Sequence, residues 1–474
     1  MEGILTRAYY WLSAELTTIL GFVLGVVFVA YILRQKRSPA STLAWLMVVV
    51  LTPYVGVPLY ILFGGRKVNR MAAGKAPVYS AVAPRTAPAL DSNAERLLRS
   101  YGVPEASGGN VVDVLETGEE AFGRMLEVIS NARETVHVTT FILAGDEAGG
   151  AILGALTRKA AEGVRVRLLL DDVGSWRLRR RELAPLVAAG GKAAFFMPML
   201  HLPFRGRANL RNHRKLVIAD GREAVAGGMN LTSDYIGPLP DPDRWRDLAV
   251  SVAGPAAADL DALFRSDWKF VTGESVPAPR PSRALVPAPT PAGNAEGGRV
   301  QVVASGPDVD GDPLYESILS LIFFARRRVW IVTPYFVPDE MLLRSLVLAT
   351  RRGIDVRLVI PRRSNHPITD YAREAYIREL HEAGAEVLLY RPSMLHAKVI
   401  LFDDRLVAVG SANMDNRSMF LNYEVALYLF DEARAADVAR WIELLSAGCT
   451  VYEPRPGGLR EIAENVVRLF APLL

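Results

Sequence analysis

A polar pattern recurs in this chain with its spacing unchanged, and that recurrence limits the fold more than any bulk property does. The first copy reads His213-Arg214-Lys215, four residues to Asp220, six more, then Gly227-Gly228-Met229-Asn230. The second reads His396-Ala397-Lys398, four residues to Asp403, six more, then Gly410-Ser411-Ala412-Asn413. The chain holds 6 histidines, and two of them fill the same slot, so it is read as an internal duplication. The residues before each copy agree. Each half opens with an apolar strand, Val136 to Leu143 and Val329 to Val337, followed by a helical stretch. A second strand comes after a glycine, with Gly163 to Leu169 matching Gly353 to Val359. Another helical stretch then leads to a third strand, Ala193 to Met197 and Glu386 to Tyr390. This β-α-β-α-β order predicts an α/β fold of two duplicated domains, each with a mainly parallel sheet covered by helices.

Composition shifts mark the boundaries. Residues 66–107 and 276–298 are rich in Ala, Pro and Gly and read as linkers, which leaves 108–275 and 299–474 as the two domains. Residues 1–65 differ from everything else, because Leu16 to Leu33 and Ala40 to Phe63 contain no charged residue. The first stretch forms a helix of about 27 Å, enough to cross a hydrocarbon core. The second carries Pro53, Gly56 and Pro58, so it either spans with a kink or dips in and returns. Arg34, Lys36 and Arg37 stand where a signal peptide would have small residues, so an N-terminal transmembrane hairpin is expected instead. Its basic flanks favour a cytoplasmic catalytic region. Net charge is only +4, without the basic stripe of a nucleic-acid binder. The single cysteine, Cys449, excludes an intrachain disulfide and reads as an idle thiol.

The repeated residues suit a phosphodiester. Residues two apart in a strand project to one side, so each His shares a face with its Lys. Asp220-Gly221 and Asp403-Asp404 read as hairpin turns that return the chain and bring Asn230 and Asn413 near the start of each strand. Juxtaposed halves then supply two imidazoles, two ammonium groups and two amides around one point. The ammonium and amide groups stabilise charge building on phosphorus, one imidazole attacks, and the other protonates the leaving oxygen. No metal-ligand pattern lies beside either motif, and the chemistry needs no cofactor. His137, His201, His366 and His381 read as packed or surface residues. The two Asp of the motifs, Asp220 and Asp403, read as structural supports of the catalytic site, their turn position suiting local backbone hydrogen bonds. Arg205, Arg207, Arg211 and Arg214 read equally well as a headgroup contact or a solvated loop.

These motifs resemble the phospholipase D superfamily, and the whole chain resembles the bacterial cardiolipin synthases within it. The second apolar segment, from Thr42 to Leu46 through Pro53-Tyr54 and Leu62 to Gly64, with Thr333 to Glu340, the extended Gly410 to Ser418, and Leu421 to Glu424, carries the narrower likeness. The resemblance implies two phospholipase D-like domains, with His213 as the residue that becomes phosphatidylated and His396 as the acid. It assigns Lys215, Lys398, Asn230 and Asn413 to the phosphate. It also implies an acidic residue downstream of each motif that orients that motif's histidine, for which Asp247 and Glu424 stand in place. Ser393-Met394 and Leu231 to Asp234 depart from the family pattern beside the site. The implied reaction joins two phosphatidylglycerols and releases glycerol, in a bacterial inner membrane, with anionic phospholipids and no nucleic acid as partners. A hydrolytic phospholipase D, a superfamily nuclease and an inactive scaffold are the alternatives; two complete motifs speak against the last.

Overall fold

Strand residues Leu216 to Ala219 and Val399 to Phe402 are buried on both faces, as continuous apolar runs inside a sheet should be. The computed structural model describes residues 2–34, 39–63, 75, 77–79, 93–197, 210–279, 298–454, 457–458 and 464. The first half contributes β1 (Ser107–Leu115), β2 (Thr135–Thr140), β3 (Arg165–Asp171), β4 (Lys192–Phe196), β5 (Leu216–Ala219), β6 (Glu223–Gly227) and β7 (Ala249–Ala253). The second contributes β8 (Gly298–Ser305), β9 (Arg328–Val332), β10 (Phe336–Val337), β11 (Asp355–Pro361), β12 (Glu386–Tyr390) and β13 (Val399–Phe402). It ends with β14 (Leu406–Gly410), β15 (Met414–Asp415), β16 (Glu424–Phe430) and β17 (Cys449–Val451).

The duplication is visible in the strand order, β17-β12-β11-β9-β13-β14-β16-β8-β1-β7-β6-β5-β2-β3-β4. Apart from the edge strand β17, the order read outward from the β8–β1 junction is the same in both directions. The sheet is not mainly parallel, however. Only β2–β3–β4 and β9–β11–β12 pair in parallel within it, while β5, β6, β7 and β1, and their counterparts, are antiparallel. The reason lies in the turns already noted. Asp220 and Gly221 have φ of 54° and 62°, and Asp403 has φ of 51°, so the chain reverses at once instead of crossing over through a helix. Nor do the halves keep separate sheets, because β1 and β8 pair antiparallel and one core runs through both.

The helices that cover the sheet start at ordinary side-chain caps. Asp146, Asp339 and Asp431 accept backbone amides at the heads of Glu147–Ala161, Glu340–Arg351 and Glu432–Ala447.

The expected transmembrane hairpin is found in part among the described residues. One helix, Glu2–Leu33, contains a stretch long and apolar enough to cross a membrane, Glu15–Leu33. The second apolar stretch breaks at Thr52 into Pro39–Leu51 and Pro53–Phe63, about 20 Å and 17 Å long at helical rise, each short of a hydrocarbon core. These two double back on each other, since the rings of Trp45 and Tyr60 meet with centroids 5.1 Å apart. Proline at position 53 has no amide for the preceding helix, which explains the break. His201, Arg205 and Arg207, and most of both linkers, lie outside the described residues.

Candidate active site

The two halves of the site hold each other by the backbone. The segment leading into β5 pairs with the segment leading into β16, where the His213 amide donates to the Tyr423 carbonyl (2.9 Å) and the Tyr423 amide to that of Arg211 (2.9 Å). The segment leading into β13 pairs in the same way with the one leading into β7. There the His396 amide donates to Arg246 (2.7 Å) and the Arg246 amide to Met394 (2.7 Å). Each histidine is therefore placed by the other half of the chain.

That exchange corrects the orienting partners. His213 Nδ1 lies 3.1 Å from Glu424 Oε2 and 3.0 Å from the Ser411 carbonyl, while His396 Nδ1 lies 2.8 Å from Asp247 Oδ2. The acid downstream of each motif serves the histidine of the other motif. Both residues were readable in the sequence; their crossed assignment depends on the tertiary pairing of the segments. Lys215 and Lys398 are buried beside their histidines. Lys215 Nζ donates to the His213 carbonyl (2.7 Å), and Lys398 Nζ lies 2.6 Å from His396 Nδ1. Asn230 Oδ1 accepts from the Ile142 amide (3.2 Å), which holds its side chain in place, and buried Asn413 Oδ1 has no hydrogen-bond partner among the described residues.

Asp220 and Asp403 stand apart from this cluster. They follow the far ends of β5 and β13, where Asp220 accepts the amides of Arg133, Glu134 and Thr135, and Asp403 those of Arg326, Arg327 and Arg328. They pin the hairpin turns to the starts of β2 and β9. Arg211 and Arg214 are neither solvated nor turned to a headgroup. Arg214 is fully buried and binds both oxygens of Asp267 at 2.7 Å, while Asn212 and Lys75 also reach Asp267. Lys75 further binds Asp308 at 2.6 Å. Nothing in the sequence pattern pointed to Asp267 or Lys75. Position 397 in the second motif is Ala, so this network exists on one side only.

His137 is a core residue whose Nδ1 lies 2.7 Å from Asp261, and His381 stands beside the Tyr452 ring. His366 is exposed at the rim, next to Tyr335. Burial pushes the half-buried Cys449 thiol up to about 11, which keeps it inert.

Burial dominates the site's charges. It lowers His213, despite the opposing pull of Glu424, and lowers His396 well below its ordinary value with Lys398, Lys215 and His213 adding to the effect. It holds Lys215 well below the usual ammonium range and Lys398 down to about 8. Burial pushes Asp247 up to about 7, against the pull of Lys398. It also works to raise Glu424, but His213, Lys215 and the Ser411 hydroxyl outweigh it and the carboxyl stays below its ordinary range. Two crowded, partly desolvated ammonium groups favour an anion between them, which would relieve their repulsion and raise both imidazoles. Aromatic rings wall the cluster. Phe141 meets His213 at 5.0 Å, and Tyr235 and Trp245 meet His396 at 4.9 and 5.5 Å. Phe141 and Tyr235 carry no motif that would have marked them.

Among solved structures, the fold is similar to a phosphatidylserine synthase from Haemophilus influenzae, with a TM-score of 0.61 at 17% identity over 81% of this chain and all of that one. This is the two-halved phospholipase D-type architecture. Residues 125–268 and 318–445 match the family described as cardiolipin synthase, PLD-like domain, and residues 23–65 match the phospholipase D-nuclease N-terminal family. The chain is 34% identical to cardiolipin synthase 1 of Bacillus anthracis and 35% identical to the cardiolipin synthase of Geobacillus kaustophilus, in each case over 95% of this chain and 92% of the relative. The chain belongs to the PLD-like cardiolipin synthase family.

Proposed function

We propose that this chain is a cardiolipin synthase that transfers a phosphatidyl group from one phosphatidylglycerol to the terminal hydroxyl of another. The observation that carries the reading is the crossed cluster: two histidines, each held by an acid of the opposite half, beside two buried lysines, in a chain of this family. Glu424 accepts the Nδ1 proton of His213 and leaves Nε2 with its lone pair toward phosphorus. His213 Nε2 forms a bond to phosphorus as the bond to the glycerol oxygen breaks, and His396 gives its proton to that oxygen. Neutral His396 then takes the proton of the incoming hydroxyl, whose oxygen attacks phosphorus and expels His213. Lys215, Lys398, Asn230 and Asn413 bind the nonbridging oxygens throughout. Phosphodiester is exchanged for phosphodiester, so no nucleotide is consumed.

The anchor geometry supports a single crossing followed by a segment that dips in and returns. Arg34, Lys36, Arg37, Arg66, Lys67 and Arg70 then fall on the side of the catalytic region, with Arg7 on the other, which makes that region cytoplasmic. Membrane-impermeant labelling of single cysteines near residues 3 and 300 in intact cells tests this; a reaction at the second position overturns it. For the activity, purified protein in mixed micelles with phosphatidylglycerol is expected to yield cardiolipin and glycerol in equal amounts by mass spectrometry. Phosphatidic acid as the main product would replace transfer by hydrolysis.

A further inference from the structure

We propose that the rim of the site is a docking surface for an anionic bilayer, built from the loops that follow β3 and β11. The inference deepens the proposed function, since it rests on substrates that are held in a membrane. The two loops occupy corresponding places in the duplicated halves, and both are fastened to the site. In the first, the Ser175 hydroxyl donates to the carbonyl of Phe141, whose ring touches His213. In the second, the Tyr335 hydroxyl donates to Asn365 (2.5 Å), and the Tyr335 ring faces His396 at 6.5 Å.

Beyond these fastenings the loops turn apolar and basic groups outward. Trp176 is 67% exposed with the Arg177 guanidinium 5.2 Å from its ring centre, and Arg179, Arg180 and Arg181 follow it on the surface. The second loop exposes Arg362 and Arg363, then Ile368 (62%) and Tyr371 (50%), three apart on the first turn of helix Pro367–Glu382. Among the described residues none of these six arginines forms an ion pair. The nearest acid on that turn, Asp370, is engaged by Arg373 (3.1 Å) and the Ser364 amide. Unpaired guanidinium groups suit lipid phosphates, and an indole with an aliphatic neighbour suits the boundary between headgroups and acyl chains. A nucleic acid would satisfy the arginines but leave Ile368 and Tyr371 in water. Docked this way, the histidines open toward the layer that supplies both lipids.

The test uses the full chain in nanodiscs of phosphatidylglycerol and neutral lipid with brominated acyl chains. Bromolipid is expected to quench the parent more than Trp176→Phe, and the difference should shrink when the anionic lipid is left out. The pair Trp176→Ser with Ile368→Ser should lower turnover of bilayer phosphatidylglycerol about tenfold, with turnover of a short-chain phosphatidylglycerol below its micelle concentration kept within about twofold. Equal quenching of parent and Trp176→Phe, or equal losses on both substrates, would overturn the docking surface. Loss of the quenching difference on adding a DNA oligonucleotide would assign the rim to nucleic acid. If the parent makes no cardiolipin from short-chain lipid, the functional reading fails while the quenching still reports on docking.

Discussion

Replacing Asp267 removes the acid at the centre of the buried network behind the first motif. Arg214 and Asp267 have no exposed side-chain surface. In Asp267→Leu, Arg214 keeps only the carbonyls of Glu424 and Ser305, each at 3.1 Å, and Lys75 keeps Asp308 at 2.6 Å. Truncating one partner of a buried pair costs about 3–5 kcal/mol, and this variant belongs at the upper end because two buried cations, Arg214 and Lys75, then share Asp308 as counter-charge. In Arg214→Met, Lys75 and Asn212 still satisfy Asp267, so the cost falls near about 3 kcal/mol. The double variant leaves neither charge unpaired and should cost about 2–3 kcal/mol less than the two singles added together. Urea unfolding of the solubilised chain, followed by tryptophan fluorescence, measures all three. If Asp267→Leu does not fold, Arg214→Met and the double variant still carry the test, since the double should then be recovered. Strictly additive costs, or a midpoint for Arg214→Met equal to the parent's, would refute the argument that these charges depend on one another.

His213→Ala and His396→Ala should each abolish turnover in the micelle assay, and substantial activity from either would break the single-site reading. Chelators should leave the rate unchanged, because in the proposed mechanism the lysines and asparagines meet the phosphate; recovery of a lost rate by one divalent ion would require another mechanism. Ser411→Ala removes a hydrogen bond that lowers Glu424, so the carboxyl rises and the acidic limb of the kcat/KM profile should move to higher pH. An unmoved limb would show that Glu424 does not titrate in the cycle. Deleting residues 1–65 should shift product from cardiolipin toward phosphatidic acid more than it slows donor cleavage. An unchanged product ratio in detergent would leave the anchor as a tether only.

The repeat could be read from the sequence because duplicated chemistry leaves a spacing, and the apolar strands Val399–Phe402 and Leu216–Ala219 announced themselves by composition. Strand direction could not be read in the same way. The hairpin turns at Asp220-Gly221 and Asp403-Asp404 announced the pairs β5–β6 and β13–β14, but an apolar run is compatible with either pairing to its other neighbour, so nothing signalled that β5 and β13 also run antiparallel to β2 and β9. The crossed acids were hidden for a related reason. Asp247 lies closer in sequence to His213, yet the pairing of Arg246 with Leu395 carries it to His396. Lys75 sits in a stretch whose composition says linker, and its role comes from two acids more than 190 residues away.

The two histidines are equivalent in the repeat but not in their surroundings, and one position contributes to the difference. Ser411 of the second half corresponds to Gly228 of the first. The Ser411 hydroxyl donates to Glu424, helping to hold that carboxyl in its charged form against burial. Gly228 offers no such donor to Asp247, and no side chain could stand there without displacement, because a Cβ would lie 2.3 Å from Asp247 Oδ1. Asp247 accepts instead from the Leu248 amide at 2.7 Å, and burial carries it up to about 7. Near neutral pH, then, His213 faces a carboxylate and His396 faces a carboxyl that shares its proton. The first arrangement keeps an imidazole neutral with its outer nitrogen free to attack. The second keeps a proton within the pair, ready to pass to a leaving oxygen once a phosphodiester anion offsets Lys215 and Lys398. A duplicated scaffold thus supplies two histidines of one kind, and a Gly-to-Ser difference between the copies biases them toward the nucleophile and acid roles proposed for His213 and His396.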